Sequence, residues 1–162
     1  MNAADPKFVK DNKRRFVEDF ALLLERSGVT PLAGRIWGWL LVCDPPHQSA
    51  AQLAEALGAS LGGISTMTRL LVEFGIVERI GVPGERSRYY RVRPGGFSGL
   101  LTAKMQMTTE FRALAERGLA MMADEPAEAL ERLEECRDFY AFFEQEFPAL
   151  IARWESERKE EL

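Results

Sequence analysis

The sequence contains few of the residues that build metal sites, disulfide scaffolds or catalytic centres. Its 162 residues include two cysteines, Cys43 and Cys136, and a single histidine, His47. Two distant cysteines match neither a disulfide framework nor the spacing of zinc ligands. His47 stands in a proline-rich loop with no candidate nucleophile beside it, and a catalytic base needs such a partner. We therefore predict no cofactor, no metal site and no enzymatic activity.

Long apolar runs are missing as well. No stretch approaches the roughly 18 apolar residues that a membrane-spanning helix requires, and the first residues lack the apolar core of a signal peptide. The composition, with 46% hydrophobic and 28% charged residues, is typical of a globular protein. We predict a cytoplasmic protein that does not bind membranes.

Acidic residues are absent from one part of the chain in particular. The net charge is −4, but residues 1–99 hold 13 Lys/Arg against 10 Asp/Glu, whereas residues 100–162 hold 8 against 15. No acid occurs between Glu55 and Glu73. Local charge matters more than total charge for a surface that meets phosphate. The first part of the chain can therefore bind nucleic acid despite the negative total.

The hydrophobic periodicity predicts an α+β chain that is mostly α. Two β-rich segments on either side of a Pro-Gly turn predict a hairpin. Helices are expected over about residues 8–26, 31–43, 49–57, 60–74, 97–122 and 126–158, with Thr30 as the N-cap of the second.

The order of these elements is that of a winged helix-turn-helix, in which the second helix of the turn enters the major groove. We predict three parts. Residues 1–28 form an N-terminal helix that joins the dimerisation region, residues 29–96 form a winged helix-turn-helix DNA-binding domain, and residues 97–162 form a two-helix dimerisation region.

The helix predicted over residues 60–74 has an unusual start. Ser60 is a good N-cap, yet Gly62 and Gly63 follow in the first turn, and each costs about 1 kcal/mol relative to Ala in a helix interior. The apolar residues expected to bury one side are Leu61, Ile64, Met67, Leu70, Leu71 and Phe74. The residues expected on the opposite side are Gly62, Gly63, Ser65, Thr66, Arg69 and Glu73.

DNA binding accounts for this composition. A helix N-terminus attracts phosphate, glycine permits close approach of the backbone, and a capping-box carboxylate at the third helical position would repel the DNA. Wing arginines suit the negative potential of the minor groove. The predicted DNA-binding residues are Ser60, Gly62, Gly63, Ser65, Thr66, Arg69, Arg86 and Arg88. The alternative for the two glycines is tight packing against the preceding helix, which leaves the missing acids unexplained.

The segments GRIWGWLLVCDPP and LAEALGASLGGISTMTRLLVEFGIVERIGVPGERSRYYRV resemble the MarR superfamily of winged-helix regulators, and within it the GbsR-type group. The most specific motifs are Gly34-x-x-x-Gly38, the helix start at 60–65 and the wing at 84–90. The resemblance implies a homodimer that binds a palindromic operator in double-stranded DNA, often as a repressor released by a small molecule. The sequence departs from the family pattern at Leu61, where relatives often carry Lys, and this removes one phosphate contact.

An a/d heptad seam runs along the last predicted helix. Its members are Leu133, Cys136, Tyr140, Phe143, Phe147, Leu150 and Trp154. We predict that the seam, through Leu133, Tyr140, Phe143, Phe147, Leu150 and Trp154, forms a homodimer interface. The alternative is an intramolecular helical hairpin.

A cluster of aromatic residues offers a possible effector site. Aromatic side chains bind quaternary amines through cation–π contacts, but the same residues also suit a core or an interface, so the effector's identity stays open. These residues are Trp37, Trp39, Tyr140, Phe143 and Trp154.

The function favoured by these patterns is a sequence-specific DNA-binding transcriptional regulator. The main rival is a winged-helix module that binds another protein through its long acidic helices and leaves DNA untouched. A weaker rival is a small-molecule binder without operator specificity.

Overall fold

The computed structural model describes residues 6–160, with side chains at all of these positions except 6–8, 100, 103, 104 and 158–160. The described chain forms α1 (Pro6–Glu25), α2 (Pro31–Val42), β1 (Gln48–Ser49), α3 (Ala50–Leu57), α4 (Leu61–Glu73), β2 (Val77–Gly81), β3 (Arg88–Val92), α5 (Gly96–Met121) and α6 (Ala127–Glu160). This confirms the predicted α+β winged helix-turn-helix. The chain divides into two compact units, the first ending at Gly96 and the second starting at Phe97.

Helix α1 lies close against α2 because two glycines of α2 leave room for it. A Cβ atom on Gly34 would lie 2.9 Å from the Cα of Ala21, and one on Gly38 would lie 3.1 Å from the Phe20 ring. The Phe20 ring also meets Trp37 edge-on, with 5.4 Å between ring centroids. The Gly34-x-x-x-Gly38 motif is therefore the packing surface for α1 within the first unit.

The helix-turn-helix core forms from side chains of each of its elements. Ile36 of α2, Leu53 of α3, Ile64 and Leu71 of α4 and Val77 of β2 are all fully buried. Their removal from water is the main stabilising contribution here, at about 1.5–3 kcal/mol for each large aliphatic side chain.

Local signals fix where α3 begins and ends. Ser49 and Gln52 form a capping box at its start, and Gly58 ends it in the left-handed conformation with φ 61°. Glycine adopts this conformation at no steric cost. The turn into α4 is therefore as short as the sequence predicts.

The wing sheet is antiparallel with the strand order β1-β3-β2. The β2–β3 hairpin pairs Val77 with Val92 and Gly81 with Arg88, as its alternating pattern predicts. The third strand, β1, is absent from the sequence prediction, because two residues are too few to show alternation. It forms because Gln48 and Ser49 pair with Tyr90 and Tyr89 of β3.

The second unit is an antiparallel pair of helices. The Phe111 ring of α5 stacks on the Tyr140 ring of α6 with 5.0 Å between ring centroids, and the Leu133 side chain lies over Gly118. Near the other end, the Ser98 hydroxyl donates a 2.8 Å hydrogen bond to Glu155. No helix within residues 6–160 is long and apolar enough to cross a membrane.

Candidate nucleic-acid interface

The start of α4 is capped by a side chain that is not an acid. The Ser60 hydroxyl accepts a 3.1 Å hydrogen bond from the Gly63 N–H. Helix geometry leaves the N–H groups of Leu61 and Gly62 without an intrahelical acceptor, and no acid stands in the first turn. Two backbone donors and the positive end of the helix dipole therefore face outward together.

The two glycines of the first turn have different surroundings. A Cβ atom on Gly62 would meet nothing within 4 Å, whereas one on Gly63 would lie 3.1 Å from Leu32 Cδ2 and 3.2 Å from the Ser60 hydroxyl oxygen. Gly63 therefore has a packing role, against α2 rather than the preceding helix α3. Among the residues that the structure describes, Gly62 has no packing neighbour that would require a glycine.

The buried side of α4 differs from the predicted one at three positions. Leu61 and Phe74, both expected in the core, are 59% and 52% exposed. Thr68, expected in neither set, is fully buried, and its hydroxyl is satisfied by a 2.8 Å hydrogen bond to the Ile64 carbonyl. Such a bond lets a polar side chain occupy a core position. Leu61 and Phe74 lie at the two ends of the helix, beyond the reach of the core.

The outward side of α4 is formed by Gly62, Ser65, Thr66, Arg69 and Glu73, all of which are exposed. The Thr66 hydroxyl already donates a 3.0 Å hydrogen bond to the Gly62 carbonyl. Within the described part of the chain, Arg69 has no carboxylate within ion-pair distance and Ser65 makes no side-chain hydrogen bond. Arg69 and Ser65 are therefore available to an external partner.

The wing arginines divide into engaged and available side chains. Arg91 forms a 2.6 Å ion pair with Glu78 on the neighbouring strand, and Arg79 lies 6.0 Å from the centroid of the Tyr90 ring. Arg86, in the turn, and Arg88, at the start of β3, are exposed. Neither has an ion-pair partner among residues 6–160.

Comparison with known proteins identifies the family. The chain is 42% identical over 139 residues to the HTH-type transcriptional regulator MmpR5 of Mycobacterium tuberculosis, and the match covers 86% of this chain and 84% of that protein. The chain belongs to the MarR family of transcriptional regulators. The family described as "MmpR5-like MarR family transcriptional regulator" matches residues 95–157. A crystal structure described as a transcriptional regulator superposes with a TM-score of 0.74 at 41% identity, covering 90% of this chain and 99% of that one.

Membership in the MarR family makes the chain a DNA-binding transcriptional regulator and not an enzyme. The fold brings Gly62, Ser65, Thr66 and Arg69 together on one exposed surface of α4. It places Gly63, also predicted to bind DNA, against Leu32 of α2. His47, the predicted loop residue, meets the Tyr89 ring edge-on at 5.3 Å and so supports the wing. In the part of the chain that the structure describes, no group of three His, Cys, Asp or Glu side chains could hold a metal ion.

Sequence reasoning missed two residues that position α4 in this MarR-family chain. The Thr30 hydroxyl donates a 3.1 Å hydrogen bond to the sulfur of Met67, and Leu32 contacts Gly63. Thr30 is the N-cap of α2 as predicted, yet its side chain makes no capping hydrogen bond. The sequence carries no signal for these contacts, because they join residues more than thirty positions apart.

Proposed function

We propose that this regulator binds as a homodimer to a palindromic operator and represses transcription in the cytoplasm. The observation that carries the proposal is the outward side of α4, which has an open glycine and no acid in its first turn. It also carries Arg69, which has no ion-pair partner in the described part of the chain. In a winged helix-turn-helix, the N-terminal residues of this helix meet base edges in the major groove.

Each predicted DNA-binding residue has a role within this proposal. The open space at Gly62 lets the backbone approach a phosphate, and Ser60 caps the helix without adding a negative charge. Ser65 and Arg69 supply donors for base edges or phosphates. Gly63 supports the close packing of α4 on α2, and Thr66 holds the first turn.

The wing would supply a second contact. Arg86 and Arg88 are exposed and have no ion-pair partner in the described chain, and arginines are drawn to the negative potential of a narrow minor groove. Arg91 is already paired with Glu78. Arg86 and Arg88 are therefore the arginines near the turn that we expect to contact the DNA.

The proposed dimer interface rests on apolar side chains of α6 that are exposed. Leu133 and Tyr140 of the predicted seam contact α5 of the same chain, as the hairpin alternative requires. Four other apolar side chains of α6, two of them members of the seam, are exposed by about half or more. They are Phe139, Phe142, Leu150 and Trp154. Phe139 and Phe142 extend the predicted set, and Phe143 and Phe147 lie half-buried beside it.

An association assay tests the dimer. Trp154→Glu should convert the protein to a monomer, because a buried unpaired carboxylate at an apolar interface is costly. Gln145→Glu adds the same charge at an exposed polar position of α6 and should leave the dimer intact. Sedimentation velocity distinguishes the two, and a dimer that survives Trp154→Glu unchanged would place the interface elsewhere.

A small-molecule effector is the further part of the proposal. Side chains of α5 and α6 line a cleft of about 770 Å³, among them Met105, Gln106, Phe147 and Ile151. This volume lies in the range of pockets that hold drug-sized ligands. A ligand in this cleft would bias the equilibrium between two states of the dimer that differ in the spacing of their two α4 helices. Of the aromatic residues proposed from sequence, Trp37 is buried in the core of the first unit.

The narrower GbsR-type assignment remains part of the proposal and rests on the helix-start and wing motifs at 60–65 and 84–90. The rival function, a protein-binding module that leaves DNA untouched, makes a different prediction. The regulator should bind a duplex from its own upstream region more tightly than a shuffled duplex, and it should protect two half-sites about 34 Å apart. Footprinting measures both, and binding to neither duplex would favour the rival.

A further inference from the structure

One apolar side chain stands on the DNA-facing end of α4. Leu61 is the first residue of the helix and is 59% exposed. Ser65, one turn later, lies on the same side and is exposed as well, since residues four apart are neighbours on a helix surface. Leu61 is therefore part of the proposed DNA-binding surface and not of the core.

The chemistry of this surface limits what Leu61 can contact. A leucine offers no hydrogen bond and no charge, so it gains nothing from a phosphate or a polar base edge. The major groove presents one apolar feature, the C5 methyl group of thymine, which apolar side chains contact. The helix end beside Leu61 carries unsatisfied N–H groups and no acid, which suits the phosphates that flank such a base.

The neighbouring side chains leave this contact to Leu61. The hydroxyl hydrogen of Thr66 is already donated to the Gly62 carbonyl, and the single methyl group of Thr66 offers less apolar surface than the Leu61 side chain. Gly62 has no side chain. Ser65 and Arg69 are polar and suit hydrogen-bonded readout. Leu61 is thus the one large apolar group among the exposed residues that the structure describes at this end of the helix.

We infer that Leu61 is a specificity-determining residue that reads a thymine methyl group in each operator half-site. The inference rests on the proposed function, because it requires α4 to enter the major groove. It adds recognition of the thymine methyl group at one position, which the hydrogen-bonding groups of Ser65 and Arg69 cannot read.

Deoxyuridine provides the test, since it differs from thymidine only by lacking the C5 methyl group. Each thymidine of the footprinted half-site is replaced in turn by deoxyuridine, and the affinity is measured by fluorescence anisotropy. For the wild-type protein, one replacement should weaken binding about four-fold per half-site, the value expected for one buried methyl group. The Leu61→Ala variant should bind the duplex with thymidine at that position and the duplex with deoxyuridine there equally well.

Phe74→Ala is the matched control. Phe74 is an exposed apolar residue at the other end of α4, and this variant should keep the full sensitivity to deoxyuridine. Thermal unfolding checks that both variants fold like the wild type. The inference is overturned if no replacement weakens wild-type binding, or if Leu61→Ala retains the sensitivity. Failure of the wild type to prefer the operator over a shuffled duplex would instead overturn the proposed function, and this inference with it.

Discussion

At the scale of single residues, the two glycines at the start of α4 are used differently. Gly63 has Leu32 and the Ser60 hydroxyl within contact of any added Cβ, whereas Gly62 has open space around it. Only Gly62 can therefore accept a larger side chain without a change in packing. A charge placed there reports on DNA binding alone.

Gly62→Glu should separate folding from DNA binding. A carboxylate in the first turn interacts favourably with the helix dipole, by about 0.3–1 kcal/mol, so the melting temperature should stay or rise. Operator affinity should fall by about ten-fold or more, because the carboxylate faces phosphates. Gly62→Gln, of the same size but uncharged, should weaken binding much less. Equal affinities of the two variants would show that Gly62 does not approach the DNA.

Arg69→Ala distinguishes base contact from phosphate contact. If Arg69 reads a guanine, the variant should lose about 1–3 kcal/mol of discrimination at one base pair and bind other sequences nearly as before. Affinities for a panel of single-base operator variants measure this. A uniform decrease in affinity across the whole panel would assign Arg69 to a phosphate.

At the scale of elements, the packing of α1 on α2 depends on the absence of a side chain at Gly34. The Cβ position lies 2.9 Å from the backbone of α1, and backbone cannot rotate away as a flexible side chain can. The helix pair must therefore separate if any other residue stands there.

The same substitution at two glycines should change stability in opposite directions. Gly34→Ala should destabilise the protein by about 1–3 kcal/mol through overpacking. Gly99→Ala, in α5 where an added Cβ meets nothing within 4 Å among the described residues, should stabilise it by about 0.5–1 kcal/mol through helix propensity. Urea unfolding measures both. A neutral Gly34→Ala would contradict the close contact between α1 and α2.

The pairing of α5 with α6 should weaken in acid. Hydrogen bonds from Thr109 and Arg112 hold the pKa of Glu144 below its usual value. A carboxyl group with a lowered folded-state pKa contributes stability above its unfolded pKa and loses it as the pH falls through the folded value. Glu144→Gln should therefore lower the melting temperature at neutral pH and flatten its decline below about pH 5. Glu146→Gln, at an exposed position of α6, should keep the wild-type decline.

Local signals account for the elements that sequence reasoning predicted. The capping residues Ser49 and Ser60 and the left-handed Gly58 fix the helix boundaries, and alternation fixes the β2–β3 hairpin. Contacts beyond the reach of these patterns account for part of what was missed. Strand β1 exists only because β3 pairs with it. The burial of Thr68 was missed for another reason, because a polar residue type predicts exposure, whereas the hydrogen bond from its hydroxyl to the Ile64 carbonyl permits burial.

At the scale of the whole molecule, the two units carry opposite charge. Residues 1–99 have an excess of Lys and Arg, and residues 100–162 have a large excess of Asp and Glu. The first unit carries the surface proposed to bind DNA, and the second carries the apolar face of α6 proposed to bind another copy. Repulsion between the acidic unit and DNA favours binding in which only the winged unit meets the duplex.

The salt dependence of operator binding tests this account most directly. Affinity for the operator should fall linearly on a log–log plot against salt concentration, because the neutralised phosphates release counterions. The variant with Arg86→Ala and Arg88→Ala should show a shallower slope, by about 0.9 for each phosphate that these arginines neutralise in the wild type. Arg132→Ala, at an exposed arginine of α6, should leave the slope unchanged. Operator binding that is insensitive to salt, or absent at low salt, would contradict the account.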